Sequence, residues 1–132
     1  MEPRLQLILG FDLMRAAIEG DHDLRAAWSE AMEISTRSAE PMPHVWGGAL
    51  ACLLYCASAL DEAGLLKNIN PPAGGGDFLH SGHTTRTASV YAATEANDIA
   101  SIAAMAGALL FAASNQRECL RFEGRFARVR VL

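Results

Sequence analysis

Residues 74–87, GGGDFLHSGHTTRT, bring together four glycines, three of them consecutive, with an aspartate, two histidines and an arginine. His80 and His83 lie three residues apart and Asp77 precedes them, so all three side chains could meet at one metal ion if the segment curled around it. Zinc would need a further histidine or a cysteine as well. In a glycine-rich segment, histidines are more often exposed or cap the next helix, and we favour that interpretation. We therefore predict no resident metal or cofactor.

The same glycines suggest a phosphate-binding loop, because Gly74 to Gly76 expose backbone N–H groups. Thr85 and Arg86 follow at the expected start of a helix, where an anion could bind. The stretch lacks the lysine and the GxxxxGK[ST] spacing of a P-loop, and no parallel-sheet pattern surrounds it. We prefer an ordinary helix cap. The residues of this segment that we expect to contact a binding partner are Phe78, His80, His83 and Arg86.

Two pairs of carboxylates, Glu30 with Glu33 and Glu95 with Asp98, are each spaced to share one face of a helix. Four converging carboxylates could hold Mg²⁺. The two segments, EAME and EAND, resemble the carboxylate motifs of the all-α nucleoside triphosphate pyrophosphohydrolases, in which acids from neighbouring helices hold the metal that grips the triphosphate. The resemblance implies an Mg²⁺-dependent hydrolase with these four catalytic residues. Because Glu33 falls on the polar side of its helix, we expect two solvated acidic faces and keep the hydrolase as the alternative.

The cysteines predict a reducing compartment. Cys52 and Cys56 lie one helical turn apart in an apolar run, and Cys119 makes the total three. An odd number without a framework spacing argues against structural disulfides. The N-terminal segment also lacks the apolar region and cleavage site of a secretory signal peptide. We therefore expect a cytoplasmic protein with buried, unreactive thiols.

Residues 45–60 and 99–115 contain no charged side chain, which raises the question of membrane insertion. A membrane-spanning helix needs about 20 predominantly apolar residues. Both runs are shorter than that and include serine and many alanines, which contribute little to insertion. We predict that the chain does not enter a membrane.

The last residues reverse the charge of the rest of the chain. Residues 1–116 carry 13 acids against 6 bases, whereas residues 117–132 carry 2 acids against 5 arginines. Arginines interleaved with aromatic residues could contact nucleic acid, but the acidic body would repel a phosphate backbone. We expect a protein partner instead. The tail residues assigned to this contact are Phe122, Phe126, Arg128 and Arg130.

The apolar residues recur at helical spacing along most of the chain. They predict helices from Pro3 to Glu19, from an N-cap at Asp21 to Ser38, from Val45 to Gly64, and from Thr84 to Asn115 with a kink at Asn97 and Asp98. Residues 67–83 contain NPP and GGG and predict a long loop, while residues 118–132 alternate in the manner of short strands. With 24 alanines and 51% apolar residues, the chain is predicted to form a single, mostly α domain: a compact four- or five-helix bundle with a short C-terminal β element.

The third predicted helix is apolar on every side, and a chain of 132 residues can scarcely cover it completely. Two faces of small residues would permit close helix approach. They are Gly47, Gly48 and Ala51 in one helix, and Ala100, Ala103, Ala104 and Gly107 in another. We therefore predict a small, alanine-rich binding or assembly protein, such as a regulator, an inhibitor or a structural accessory, that forms a homo-oligomer and contacts another protein. We expect the tail to pair as a β element with a second chain or with the body of the fold.

Overall fold

The computed structural model describes residues 1–71 and 75–121. Within these ranges the chain is mostly helical, with seven α-helices, one 3-10 turn and no β-strand. The helices are α1 (Pro3–Glu19), α2 (Leu24–Thr36), α3 (Val45–Glu62), α4 (Gly76–His80), α5 (His83–Glu95), α6 (Ile99–Asn115) and α7 (Arg117–Arg121), and the 3-10 turn is Leu66–Asn68. Contacts divide the chain into two compact units. Of the described residues, the first unit comprises Met1–Leu53 with Arg117–Arg121, and the second lies within Leu54–Gln116, so the boundary falls within α3.

In the first unit, α1 has the predicted bounds, and Pro3 suits its first turn because that position needs no backbone N–H partner. The predicted N-cap of α2 was wrong. Asp23, not Asp21, caps the helix, and its carboxylate accepts a hydrogen bond from the Arg25 backbone N–H at 2.9 Å. Asp21 instead adopts a left-handed φ of 61° in the turn, which His22 closes by donating its N–H to the Ala17 carbonyl at 2.9 Å.

The start of α3 is capped by side chains from distant parts of the first unit. The first backbone N–H groups of a helix have no partner within the helix. Here the buried Gln6 accepts a hydrogen bond from the His44 N–H at 3.0 Å, and the buried Ser35 accepts one from the Trp46 N–H at 2.9 Å. These long-range caps fix where α3 begins relative to α1 and α2.

Helices α1 and α3 meet backbone to backbone at two glycines. A Cβ atom on Gly10 would lie 1.8 Å from the Val45 carbonyl oxygen, and one on Gly48 would lie 1.9 Å from the Leu7 carbonyl oxygen. Only glycine fits at such distances. One of the two predicted small-residue faces is therefore used, at Gly48, for packing within the chain. The other predicted face is not closely packed at Gly107, because a Cβ on Gly107 would meet nothing within 4 Å.

Helix α7 corrects the expected β tail over residues 118–121. These residues are helical, pack on α1 and bury Leu120. Arg117 donates to the Asp21 carboxylate at 2.7 Å, and Glu118 pairs with Arg121 one turn later. An acid in the first turn and a base in the last also favour the helix dipole. The rest of the expected β element, residues 122–132, lies outside the described residues.

In the second unit, α3 ends as predicted at a left-handed glycine, Gly64, with φ 72°. The predicted loop over residues 67–83 instead contains the end of the 3-10 turn and helix α4. Its apolar residues anchor it, since Ile69 and Leu79 are buried, as is Leu66 directly before it. The predicted kink at Asn97 and Asp98 is instead a complete break, since α5 ends at Glu95 and α6 begins at Ile99.

The described part of the chain contains no helix with both the length and the apolar character needed to cross a membrane.

The two glycine environments predict opposite effects of the same substitution. Gly48→Ala should lower the free energy of unfolding by about 1–3 kcal/mol, because the added methyl group forces α1 and α3 apart. Gly107→Ala should raise it by about 0.5–1 kcal/mol, because alanine is the better helix former and the position is open. Urea denaturation followed by circular dichroism measures both values. Equal effects of the two substitutions would contradict the close approach.

The ion pair at Asp21 predicts a dependence of stability on pH. The hydrogen bond and charge of Arg117, with the charge of Arg121 beyond, lower the pKa of Asp21. The ionised carboxylate therefore stabilises the fold above an unfolded-state pKa of about 3.9, and this contribution is lost as the pH falls through the lower folded-state value. Asp21→Asn should lower the melting temperature at pH 7 and have a smaller effect at pH 2, and asparagine tolerates the left-handed φ. A constant difference at both pH values would contradict this role.

Candidate functional site

Arg86, on α5, is completely buried, with 0% of its surface exposed. Its Nη1 donates to the backbone carbonyls of Leu79, at 3.0 Å, and Ser81. Its Nη2 donates to the carboxylate of Asp61, near the end of α3, at 3.1 Å. One guanidinium group thus joins three segments of the second unit.

These hydrogen bonds explain how a helix as short as α4 is held in place. A five-residue helix is not stable alone, and its last carbonyl groups lack partners within the helix. Arg86 supplies a donor to Leu79 within α4 and another to Ser81 just after it. Its own Nε is buried without a hydrogen-bond partner. Arg86 is therefore committed to the interior, and it does not lie where we expected it to contact a partner or an anion.

Helices α4, α5 and α6 border a cleft of about 760 Å³ in the second unit. Its lining combines apolar side chains with hydroxyl groups and two carboxylates. The described lining residues are Asp77, Phe78, Ser81, Thr85, Ser89, Ala92, Ala93, Ala96, Asp98, Ser101, Ala104 and Met105. A volume of this size is typical of sites that bind ligands or peptide side chains.

The cleft is open because the facing helices carry small side chains. Ala92 lies on α5, Ala96 follows one turn later at the C-cap of that helix, and Ala104 lies on α6, so methyl groups line much of the gap between the helices. Phe78 and Met105 are half-buried, and they supply the two large apolar surfaces. An aromatic or aliphatic side chain entering the cleft would find apolar contacts there.

The charge of the cleft is negative. Asp98 caps α6, with one carboxylate oxygen accepting from the Ser101 backbone N–H at 3.0 Å and the other from the Ser101 hydroxyl at 2.5 Å. The hydroxyl bond and then the backbone bond lower the pKa of Asp98, so it stays ionised at pH 7. Asp77 is exposed at the other side, and the described lining contains no lysine or arginine. The cleft therefore favours a cationic or basic occupant.

The structure brings only part of the predicted histidine segment to this cleft. Asp77 and Phe78 line it, whereas His80 and His83 are exposed and do not. Across residues 1–71 and 75–121, no three His, Cys, Asp or Glu side chains gather in a way that could hold a metal ion. Asp77, His80 and His83 thus form no metal site in this structure.

The four carboxylates of the hydrolase alternative are divided between the two units. Glu30 and Glu33 are exposed on α2 in the first unit, while Glu95 and Asp98 are exposed in the second. Both oxygens of Asp98 accept hydrogen bonds from Ser101, so this carboxylate serves as the N-cap of α6. Glu33 also borders a smaller cleft of about 430 Å³ along α2, together with Trp28 and Met32.

The three cysteines lie within the described residues and are all thiols. Cys52 and Cys56 are buried in α3, as expected for small apolar side chains, and Cys119 is half-buried in α7. None of the three lines the cleft.

Sequence reasoning missed most of the cleft. Ala104 was predicted only as part of a small-residue face, and no role was predicted for Ala92 and Ala96, whose i, i+4 spacing was the available signal. Met105 was not predicted as a site residue. Ser101 was missed as well, although a serine three residues after Asp98 is the spacing of a helix cap. The burial of Arg86 had no local signal, because its partners lie 5, 7 and 25 residues away.

Replacing Arg86 should destabilise the second unit. Arg86→Met keeps the length of the side chain but leaves two carbonyls without their donor, so we expect a loss of about 2–4 kcal/mol in the free energy of unfolding. Asp61→Asn should cost less, because the side chain of Asp61 is 44% exposed. Together the two changes should cost less than the sum of the single effects.

Arg25→Met, on the exposed face of α2, is the matched control for Arg86→Met and should change the stability by less than about 0.5 kcal/mol. Urea denaturation at pH 7 measures all four variants. Wild-type stability in Arg86→Met would contradict the anchoring role of the guanidinium group.

No protein-family model, curated protein or solved structure matches the chain. Function must therefore be inferred from the cleft and the surrounding surface.

Proposed function

We propose that this protein acts by binding, associating with a second copy of itself and with another protein as a small regulator, inhibitor or structural accessory. The observation that carries this proposal is the exposed, apolar beginning of α6. Helix α6 contains no charged residue, and its second half, from Ala108 to Ala113, is largely buried. One side of its first two turns is exposed, whereas Ala106 is buried and Ser101, Ile102 and Met105 are half-buried.

The exposed part of α6 includes a large apolar side chain. Ile99 is 72% exposed, and Ala100, Ala103 and Ala104 in the following turns are also exposed. Tyr91 on the neighbouring helix α5 is 68% exposed. Removing apolar surface from water contributes about 25 cal/mol per Å², and clustered apolar surface of this kind often marks an interaction site.

The small side chains of this face support close packing against another helix. The side chains of the alanines at positions 100, 103 and 104 extend only a short way from the helix axis. At Gly107 a Cβ atom would meet open space. Two copies of such a face can approach closely and bury the isoleucine of each partner. A symmetric dimer, in which the same face is used twice, is the simplest closed arrangement.

We also propose that the helices pack as a bundle and that the protein acts in the cytoplasm. Residues 122–132 would pair as a β element with a second chain or with the body of the fold.

The Mg²⁺-dependent hydrolase is the alternative, in which Glu30, Glu33, Glu95 and Asp98 would hold the metal. Melting curves recorded with Mg²⁺, Mn²⁺ and Zn²⁺, followed by assays for pyrophosphate release from nucleotides, separate the two classes. A metal ion present at 100 times its dissociation constant would raise the free energy of unfolding by about 2.7 kcal/mol.

Self-association predicts a mass above that of one chain. Light scattering at low micromolar concentration should give at least twice the chain mass of 14.1 kDa. Ile99→Glu should reduce this mass, because it places a charge on the apolar face. A glutamate in the first turn also favours the helix dipole, so α6 should still form.

Ser114→Lys is the matched control, since it places a charge at the other, exposed end of α6 and favours the dipole there. It should leave the mass unchanged. A wild-type mass of 14.1 kDa that does not vary with concentration would contradict the proposal.

A further inference from the structure

We infer that the cleft between α4, α5 and α6 binds the basic C-terminal segment, residues 122–132, of a second copy of the chain. This inference rests on the proposed self-association and assigns it a site. Three observations support it: the charge of the cleft, the composition of the segment, and the position of the cleft beside the exposed face of α6.

The cleft belongs to an acidic unit. Residues 54–116 contain five acids against Lys67 and Arg86, a net charge of −3. Arg86 is buried and already paired with Asp61, so it does not neutralise the cleft. Within the described part of the chain, Asp77 and Asp98 form no ion pair. An arginine entering the cleft would gain charge-assisted hydrogen bonds to carboxylates that are still accessible to solvent.

The C-terminal segment has the complementary chemistry. The first arginines of the basic region are engaged near α7, where Arg117 pairs with Asp21 and Arg121 with Glu118. Residues 122–132, FEGRFARVRVL, then add three arginines against one glutamate. Phe122 and Phe126 stand between these charges. A segment that alternates aromatic and cationic side chains matches an apolar floor with an acidic rim.

The floor of the cleft can receive the aromatic side chains. Phe78 offers a ring for an edge-to-face contact, and Met105 offers a thioether, which packs favourably against aromatic rings. A cleft of about 760 Å³ has room for more than one such side chain. Hydroxyl groups of Thr85 and Ser89 at its edge add polar contacts for the backbone of a bound peptide.

The position of the cleft favours a second copy as the source of the segment. Ala104 belongs both to the lining of the cleft and to the exposed α6 face that we propose for self-association. A copy packed on that face therefore lies directly beside the cleft. Eleven residues follow α7 and can extend about 36 Å, which allows two copies to exchange their C-terminal segments.

Site-directed cross-linking of mixed copies tests this inference. In a background with Cys119→Ser, one preparation carries Ser89→Cys in the cleft and the other carries Ala127→Cys between the proposed anchors. Mild oxidation of the mixture with copper phenanthroline should give a covalent dimer in at least fivefold excess over either preparation alone. Replacing Ser89→Cys by Ser114→Cys, outside the cleft, should abolish that excess. Salt at 1 M should reduce the yield, because the contact is partly electrostatic.

Reversing the charges of the C-terminal arginines tests the cleft assignment independently of the proposed self-association. Changing Arg125, Arg128 and Arg130 together to glutamate should abolish the cross-link and lower the mass seen by light scattering, whereas changing all three to lysine should preserve both. If the glutamate variant keeps the wild-type mass while Ile99→Glu loses it, self-association stands and the cleft assignment is wrong. If the double variant Ser89→Cys, Ala127→Cys forms its disulfide only within single chains, the second copy is excluded as the source. A wild-type protein that is monomeric overturns the proposed function and this inference with it.

Discussion

The hydrogen bonds of the buried Arg86 guanidinium are the interaction on which the second unit depends. Burying a cation is costly unless it is paired, and here one half-exposed carboxylate and two backbone carbonyls provide the partners. The result is that α4, too short to be stable alone, is fixed beside α5. Because α4 supplies Asp77 and Phe78 to the cleft, the candidate site exists only while this network is intact.

The first unit is held by a different constraint, the contact of two backbones. Gly10 and Gly48 bring α1 and α3 together at a distance that no side chain would allow. Gln6 and Ser35 then satisfy backbone groups at the start of α3. These polar contacts within an apolar interior specify one arrangement of the helices, since any shift would leave the buried groups without partners.

The sequence predicts those features that depend on neighbouring residues. The bounds of α1 and the end of α3 at Gly64 follow from helical periodicity and capping, and both are confirmed. The interruption at Asn97 and Asp98 was predicted in position, but it is a break between two helices and not a kink in one. The helix within residues 67–83 and the helical residues 118–121 were predicted wrongly, because contacts outside these segments stabilise them. The N-cap of α2 was also predicted wrongly, since Asp23 caps the helix locally while Asp21 pairs with the distant Arg117. Among the cleft residues, Phe78 was predicted as a binding residue because it is aromatic. Met105 and the alanines were missed as cleft residues, because their exposure depends on how the helices pack.

The central claim is that the second unit presents a preformed acidic cleft and an apolar helix face for association. Hydrogen–deuterium exchange as a function of protein concentration tests it most directly, because binding slows the exchange of amides that it covers or stabilises. As the concentration rises through the range of association, exchange should slow in peptides covering residues 76–81 and 99–105. Peptides from α2, in the first unit, should be unchanged. Uniform exchange in the second unit at every concentration, or slowing confined to α2, would contradict the account.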